Sequence, residues 1–549
     1  MVFGTYARDG SGASAAACQP NQSVPSLDVT TEQQAEQMRE LTRRLEVLVA
    51  DRSLLEVLSV QDRSRLLAAA GDLFNPDVDA RRQRAKEQRR RDRADKVERD
   101  QAALSATGIR ELRRRPVFHS PNVFAPVGAA QLALGPADQI AEFAAETDDP
   151  AASGSEPSQH CYVCKRQYVQ VHHFYDQLCL ECSEVSFRKR TETADLRGRT
   201  ALLTGGRVKI GYQAGLKLLR AGSRLIVTTR FPRDSAQRFA TEPDFAEWHD
   251  RVEVFGLDLR HTPSVEAFCA HLSATRDGLD YIVNNACQTV RRPPEFYRHM
   301  MERETASAST MPSHVRALLG EYEGVRRPEL LQHADISTTT AALVETAEAV
   351  GSAQMSQVRL LPDDGVHDDD LFPEGRLDQD LQQVDLRGRN SWRMMLDEVS
   401  SVELLETQLV NAIAPFVLNA RLKHLMVRAP GRDQHIVNVS AMEGQFYRRF
   451  KTTRHPHTNM AKAALNMMTR TSAADYQSDG IHMNSVDTGW VTDEDPAEFA
   501  ERKTAEHQFH PPLDIIDGAA RIVDPIIDGT NTGRHVWGLF LKDFRPTDW

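Results

Sequence analysis

Residues Thr200–Arg230 read TALLTGGRVKIGYQAGLKLLRAGSRLIVTTR, and the reading of the fold turns on them. An apolar run, Ala201 to Leu203, meets a turn with glycines at Gly205, Gly206 and Gly211. A helical pattern follows, with Ala214, Leu218 and Leu219 on one face and Gly222 placed to end it. A β-branched run, Leu225 to Thr229, comes next. Strand, glycine turn, helix and strand make a βαβ unit. Glycines let the turn backbone approach a phosphate, and free N–H groups at the helix N-terminus hold it. The stretch is therefore read as a dinucleotide-binding turn.

The pattern continues downstream. VEVFGLDLR predicts a third strand ending at Asp258-Leu259. HTPSVEAFCAHL predicts a helix starting at Thr262 or Ser264, and LDYIVNNAC a fourth strand ending in Asn284-Asn285-Ala286. Apolar strands alternating with helices predict an α/β fold, a doubly wound parallel sheet with its ligand at the carboxyl ends of the strands.

These residues and those after them carry a family resemblance. From about Leu196 the chain resembles the short-chain dehydrogenases/reductases. The matching pieces are TGGRVKIG (Thr204 to Gly211), Asp258, NNA (284–286), LVNAIAPFVL with Asn411, IVNVSAMEG with Ser440, MAKAALNMMTR with Lys462, and NSVDTGWVTD at Thr488-Gly489. The resemblance implies a Rossmann domain over 196–549. It implies cofactor contacts from Thr204, Gly205, Ile210, Gly211, Asp258, Leu259, Asn285, Ala286, Lys462, Thr488 and Gly489. It implies that Ser440 bonds the substrate carbonyl, that Lys462 holds the nicotinamide ribose, and that Asn411 completes a proton relay. Dimers or tetramers are the implied assembly. The chain also resembles a branch of plant and bacterial proteins that join a CxxC…CxxC module to such a domain.

Three features depart from the family. Lys209 stands where the family has its second glycine, as in the similar pteridine reductases, with Arg207 beside it. Arg230 follows the second strand, where NAD-preferring members carry an acid, so NADP is expected over NAD. The tyrosine four residues before the lysine is replaced by Thr458, whose hydroxyl is a poor substitute for a tuned phenol. Tyr447, His455 or His457 could supply the proton instead; otherwise the hydride chemistry is lost. The expected function is thus an NADP-dependent oxidoreductase for a carbonyl/alcohol pair. The alternative is a degenerate member that binds NADP(H) and serves as an interaction or sensor protein. The third departure is length: residues 293–385 form an insertion at the mouth of the cleft, read as a lid or partner surface. It contains a helical stretch at 336–354 and an acidic run at 363–370, the latter read as a solvated loop.

Upstream, CYVCKRQYVQVHHFYDQLCLEC places Cys161, Cys164, Cys179 and Cys182 in two CxxC knuckles. Four thiolates fill a tetrahedral zinc, so a small structural zinc module over 159–190 is expected, with His172 and His173 as hairpin residues. Seven cysteines, four of them paired this way, favour a reducing compartment over a disulfide framework. Residues 1–28 are expected to be disordered, 29–115 helical with a basic second half, and 116–158 a linker. In the helical part, Met38, Leu41, Leu45 and Leu48 form one stripe and Leu66 and Leu67 lie on a second helix. That pattern suits a hairpin on the body better than a coiled coil. The basic run 81–99 lacks aromatics and has interspersed acids, so it is read as a solvated helix rather than a nucleic-acid arm.

The chain has 549 residues, 26% charged and 40% hydrophobic, with a net charge of −11. This is the composition of a globular protein and excludes a general nucleic-acid binder. No run of about 18 apolar residues and no signal peptide is evident, so a cytoplasmic protein without a membrane span is expected. Its expected partners are a small carbonyl or alcohol, a second copy, and a protein docking on the zinc module or insertion. At the C-terminus, DGAARIVDPIIDGTNTGRHVWGLFLKDF predicts a helix, a turn at Gly529–Gly533 and a last strand, Val536–Leu541.

Overall fold

The computed structural model describes residues 31–74, 78–120, 159–323, 351–365, 369–446, 451–492, 494–507 and 510–549. The expectations for 1–28, most of 116–158, most of 336–354, residues 366–368 and Tyr447 lie outside them. The chain divides into two compact units, Met1–Asp95 and Lys96–Trp549. In the first, α1 (Thr31–Ala50) and α2 (Val60–Phe74) are helical as the periodicity predicts. Their apolar side chains Met38, Leu41 and Leu67 are exposed. The basic run lies on α3 (Val78–Ser105), exposed from Arg82 to Asp95, with the Gln88 amide donating to Asp92 at 2.8 Å.

In the second unit, α4 (Gly108–Arg114) precedes a hairpin of β1 (Gln159–His160) and β2 (Gln167–Tyr168), then α5 (Leu180–Thr191). The main sheet is built from β3 (Thr200–Thr204), β4 (Arg224–Thr229), β5 (Val252–Gly256), β6 (Tyr281–Asn284), β7 (Leu319–Glu323), β8 (Gln434–Ser440), β9 (Ile481–Asp487), β10 (Phe540–Lys542) and β11 (Arg545–Thr547). Its order is β11-β10-β9-β8-β6-β3-β4-β5-β7, parallel except for the β10–β11 hairpin. The order reverses direction between β3 and β6. That switch point leaves a crevice at the carboxyl ends of the strands, where the glycine turn sits.

Alternation along the strands supplies two cores. Leu203 faces α6 (Lys209–Arg220) and α14 (Ile515–Thr532), with Leu219, Ile522 and Ile526. Leu202 faces the other layer, where Phe268 of α8 (Thr262–Thr275) and Leu418 and Leu422 of α11 (Ala414–Arg428) are buried. With α10 (Ser401–Gln408) and a π turn at Leu409–Ile413, α11 forms a helix long and apolar enough to cross a membrane by composition. Burial of Leu418, Leu422, Leu425 and Met426 on the sheet accounts for that apolar character.

The cysteine hairpin packs on the sheet domain through its own core, in which Phe174, Tyr175 and Leu178 meet Leu513, Ile515 and Ile516. Beneath it, Arg190 of α5 donates to both carboxylate oxygens of Asp514 at 2.6 and 2.9 Å and lies 3.0 Å from Asp517. All three groups are buried. Arg190→Met strips two buried carboxylates of their cation. It should cost about 3–5 kcal/mol, read as a drop in the denaturation midpoint; an unchanged midpoint would mean that the pair is not holding the hairpin down.

Several details correct the sequence reading. Helix α14 continues through Gly529 to Thr532 and ends in a left-handed Gly533 (φ 69°), so no turn opens at Gly529. The last parallel strand starts at Phe540, not Val536, because the Asn484 amide donates to Val536 O and holds that segment as a loop. The hairpin strand β11 and the edge strand β7 inside the insertion are additions to the expected sheet. The α8 helix does begin at Thr262, one of the two starts expected, and the His261 ring caps it by accepting from Ser264 N at 3.3 Å. The acidic run is not all solvated: Asp364 is buried and bidentate to Arg291 at 2.6 and 2.7 Å.

Candidate functional site

The carboxyl ends of β3 to β9 open on one cleft of about 1270 Å3. At its floor Gly205 (φ 69°) turns the chain beneath Ala286; a Cβ there would stand 2.9 Å from the Ala286 Cα. A Cβ on Gly211 would stand 2.3 Å from both Gly205 O and Asn285 Nδ2. The backbone is thus drawn together around the start of α6, and Val208 to Gly211 line the cleft. Asn285 locks the turn, its amide donating to Thr204 O and Gly205 O at 3.1 Å each, while Thr204 Oγ1 accepts from Ala286 N at 3.0 Å. Lys209 takes a left-handed φ of 54° at the position where glycine would be easiest. Ile210 packs on Gly518.

The three cations expected around the nucleotide differ in availability. Arg207 is buried; it donates to Asp234 at 2.8 Å and to Gln382 at 3.0 Å. Its charge is therefore balanced within the protein. Arg230 is half-buried, donates to the Tyr297 hydroxyl at 2.6 Å and lies over the rings of Phe231 and Tyr297. Asp258 is claimed by Arg260; burial pushes its carboxyl up, but that guanidinium outweighs burial and holds it below the ordinary value. Leu259 lines the cleft next to it. Twelve lysines and arginines line the whole cleft against seven carboxylates, inverting the sign of a chain whose net charge is −11. Such a surface suits an anionic ligand.

At the end of β8, Ser440 Oγ is buried with no hydrogen-bond partner among the described residues. Lys462, on α12 (Pro456–Ser478), donates to Val439 O at 2.8 Å from inside the same cleft. Asn411 sits in the π turn and clasps Gln288, accepting from its N at 2.7 Å and donating to its O at 3.1 Å. It orients the loop after β6 and is not part of the cleft lining. Thr458 is also buried away from that lining, one helical turn before Lys462, its hydroxyl without a partner. His457 lies beside Glu403 at 3.9 Å. His455 does line the cleft: its ring stacks on Trp392 at 3.9 Å with planes 4° apart, and burial lowers its pKa to about 4.

Residues that the sequence reading missed complete the walls. Trp392 and Arg393 come from the loop after the insertion, and Tyr297 and Gln382 from the insertion itself. Tyr162 and Lys165 come from the first cysteine knuckle. The Tyr162 hydroxyl accepts from Trp490 N at 2.9 Å, bracing the Thr488-Gly489 loop (Gly489 φ 75°). No local pattern marks these contacts; Tyr162 and Trp490 are 328 residues apart.

The four cysteine sulfurs lie within 4.8 Å of one another, with Cys164 and Cys179 3.7 Å apart. A tetrahedron of bonds near 2.3 Å has edges of about 3.8 Å, so the donor set fits zinc. His172 stands outside it and accepts from Phe174 N at 3.1 Å, a hairpin residue as expected.

The fold and this cleft define a nucleotide-binding α/β protein of the short-chain type. The family profile for short chain dehydrogenase matches residues 199–309, and that for enoyl-(acyl carrier protein) reductase matches 389–513. An uncharacterized protein of Acanthamoeba polyphaga mimivirus is 30% identical over 378 residues, covering 67% of this chain and 71% of that protein. Dehydrogenase/reductase SDR family member 13 of Bos taurus is 33% identical over 104 residues, covering 18% of this chain and 27% of that relative. The NADPH-bound carbonyl reductase from chicken fatty liver superposes at TM-score 0.38 and 15% identity, covering 64% of this chain and 100% of that one. The chain belongs to the short-chain dehydrogenase/reductase family.

Proposed function

We propose that the protein is an NADP-dependent oxidoreductase acting on a carbonyl/alcohol pair, stiffened by a structural zinc on Cys161, Cys164, Cys179 and Cys182. The observation that carries the catalytic part is Ser440: a buried hydroxyl with no partner among the described residues, in one cleft with Lys462 and the glycine turn. A buried hydroxyl left unpaired is costly unless a ligand completes it. The dinucleotide fits the cradle, since Gly205 and Gly211 leave no room for a Cβ and the helix N-terminus lies open beside them. When bound, NADP(H) supplies or accepts the hydride.

The chain's own groups do the rest. The backbone of Gly205 to Gly211 and the N-terminus of α6 hold the pyrophosphate. Arg230, with no acid at its position, meets the 2′-phosphate while Tyr297 and Phe231 support its plane. Lys462, anchored to Val439 O, holds the nicotinamide ribose. The Ser440 hydroxyl donates to the substrate carbonyl oxygen, on which charge develops. His455, stacked on Trp392, is uncharged at neutral pH because burial depresses its pKa to about 4, so its ring shapes the cleft wall and is no acid there. The proton that completes the alcohol is taken from solvent entering the cleft, in place of the missing phenol. Ser440→Ala should lower kcat roughly 100- to 1000-fold with NADPH affinity retained, measured as NADPH oxidation on a carbonyl panel; an unaltered rate would remove Ser440 from the chemistry.

One observation favours the second reading, a nucleotide-binding protein without turnover. Thr458 occupies the tyrosine position and its hydroxyl is buried off the cleft. That reading predicts NADPH binding with no oxidation by any carbonyl, in wild type and Ser440→Ala alike.

A further inference from the structure

Three histidines meet at the end of the sheet opposite the cleft. His435 and His482 are the second residues of β8 and β9 and are paired in register. The same two strands end at Ser440 and Asp487, about 16 Å away along the chain direction. His535 comes from the loop after α14. The three ring centroids form a near-equilateral triangle with sides of 5.3, 5.1 and 5.0 Å. Their ligand nitrogens lie within 4.8 Å of one another. His435 Nε2 and His535 Nδ1 are 2.9 Å apart.

The surroundings are arranged around these nitrogens. A Cβ on Gly529 would stand 2.6 Å from His535 Nδ1 and 3.2 Å from His435 Nε2, so a side chain there would displace both rings. This is why α14 carries a glycine mid-course. The His482 Nδ1 lies 3.2 Å from Gln434 O and donates to it, which leaves its Nε2 as the lone pair. The His435 ring is fully buried, and the polar group its Nε2 meets is the His535 ring nitrogen. Three imidazoles gathered in a largely desolvated spot, joined by one hydrogen bond, are an expensive arrangement without a shared ligand.

The geometry points to a metal site formed by His435 Nε2, His482 Nε2 and His535 Nδ1, taking a borderline divalent ion of the zinc class with water in its fourth position. Zn–N bonds near 2.0–2.1 Å set nitrogens about 3.4 Å apart, so the 2.9 Å pair opens by about half an ångström as the proton between the two rings moves to the other nitrogen of the ring that carries it. An all-imidazole set suits zinc, copper or nickel and not calcium or magnesium. The ion would pin the loop that follows α14 to the amino ends of β8 and β9, the strands that carry Ser440 and Asp487 at their other ends. The site is separate from the four cysteines and stands whether or not the oxidoreductase reading holds.

The test is zinc K-edge X-ray absorption on tag-free, full-length protein reconstituted with zinc alone. The cysteine site contributes sulfur scatterers only, so imidazole scattering reports the histidine site by itself. The expected wild-type result is a mixed sulfur and imidazole shell with about two zinc equivalents per chain. In His535→Ala, a change in a half-exposed loop, and in His482→Ala, the imidazole signal should vanish and the zinc content fall by about half. A wild-type spectrum with sulfur alone overturns the site regardless of how the variants fold, and so does imidazole scattering that persists in a folded His535→Ala protein.

Discussion

Arg230→Asp should weaken NADPH binding by roughly 10- to 100-fold while NADH binding stays level or improves. The argument is local electrostatics. Arg230 directly follows β4, with its guanidinium donating to the Tyr297 hydroxyl at 2.6 Å and lying over the rings of Tyr297 and Phe231. A charge-assisted contact to a phosphate contributes about 1.5–3 kcal/mol, and an aspartate adds repulsion against the same group. NADH lacks that phosphate and offers ribose hydroxyls, which an acid binds well. Arg207 cannot compensate, because Asp234 and Gln382 already occupy it. Calorimetric titration with both cofactors checks this; equal losses for the two would remove the NADP assignment and leave Arg230 a structural residue.

Removing the zinc proposed for the cysteine knuckles should damage stability and cofactor binding together. Structural zinc of this kind contributes on the order of 10 kcal/mol to the folding of small domains. The thiols prepare for it: burial alone would raise Cys164, yet hydrogen bonds from Arg166 outweigh it and bring the thiol down to about 6. Crowding by its neighbours, added to burial, pushes Cys182 the other way, as expected for thiols that need a cation before all can ionise. The knuckle does not stand apart from the cleft, since Tyr162 and Lys165 line it and Tyr162 braces the Thr488-Gly489 loop. Chelation or Cys161→Ser should therefore lower the melting temperature and weaken NADPH binding at least tenfold. Intact NADPH affinity in metal-free protein would show that the knuckle is not part of the cofactor wall.

The parts of this architecture written in neighbouring residues were legible in the sequence. The strand periodicity, the Gly205–Gly211 turn and the CxxC spacing are local signals, and the structure places each at its expected position. Edge elements were harder. LGEYE of β7 is too polar to read as a strand, and β11 is three residues long and carries Pro546. Gly529 was misread as a turn because a glycine in that pattern usually ends a helix; its reason for being there is the pair of imidazoles from His435 and His535, which no one-dimensional pattern shows. The cleft wall around His455 is a long-range construction. Trp392 meets His455 across more than sixty residues, and Asp234, which occupies Arg207, stands 27 residues from it.

Hydride transfer is the central claim, and an isotope label tests it most directly. Protein is incubated with NADPH deuterated at the transferable position of the nicotinamide and a panel of aldehydes and ketones, and products are read by mass spectrometry. The account predicts a deuterated alcohol from at least one carbonyl with wild type, and little or none with Ser440→Ala. Bound NADPH that passes no deuterium to any product would contradict it and leave a nucleotide-binding protein without redox chemistry.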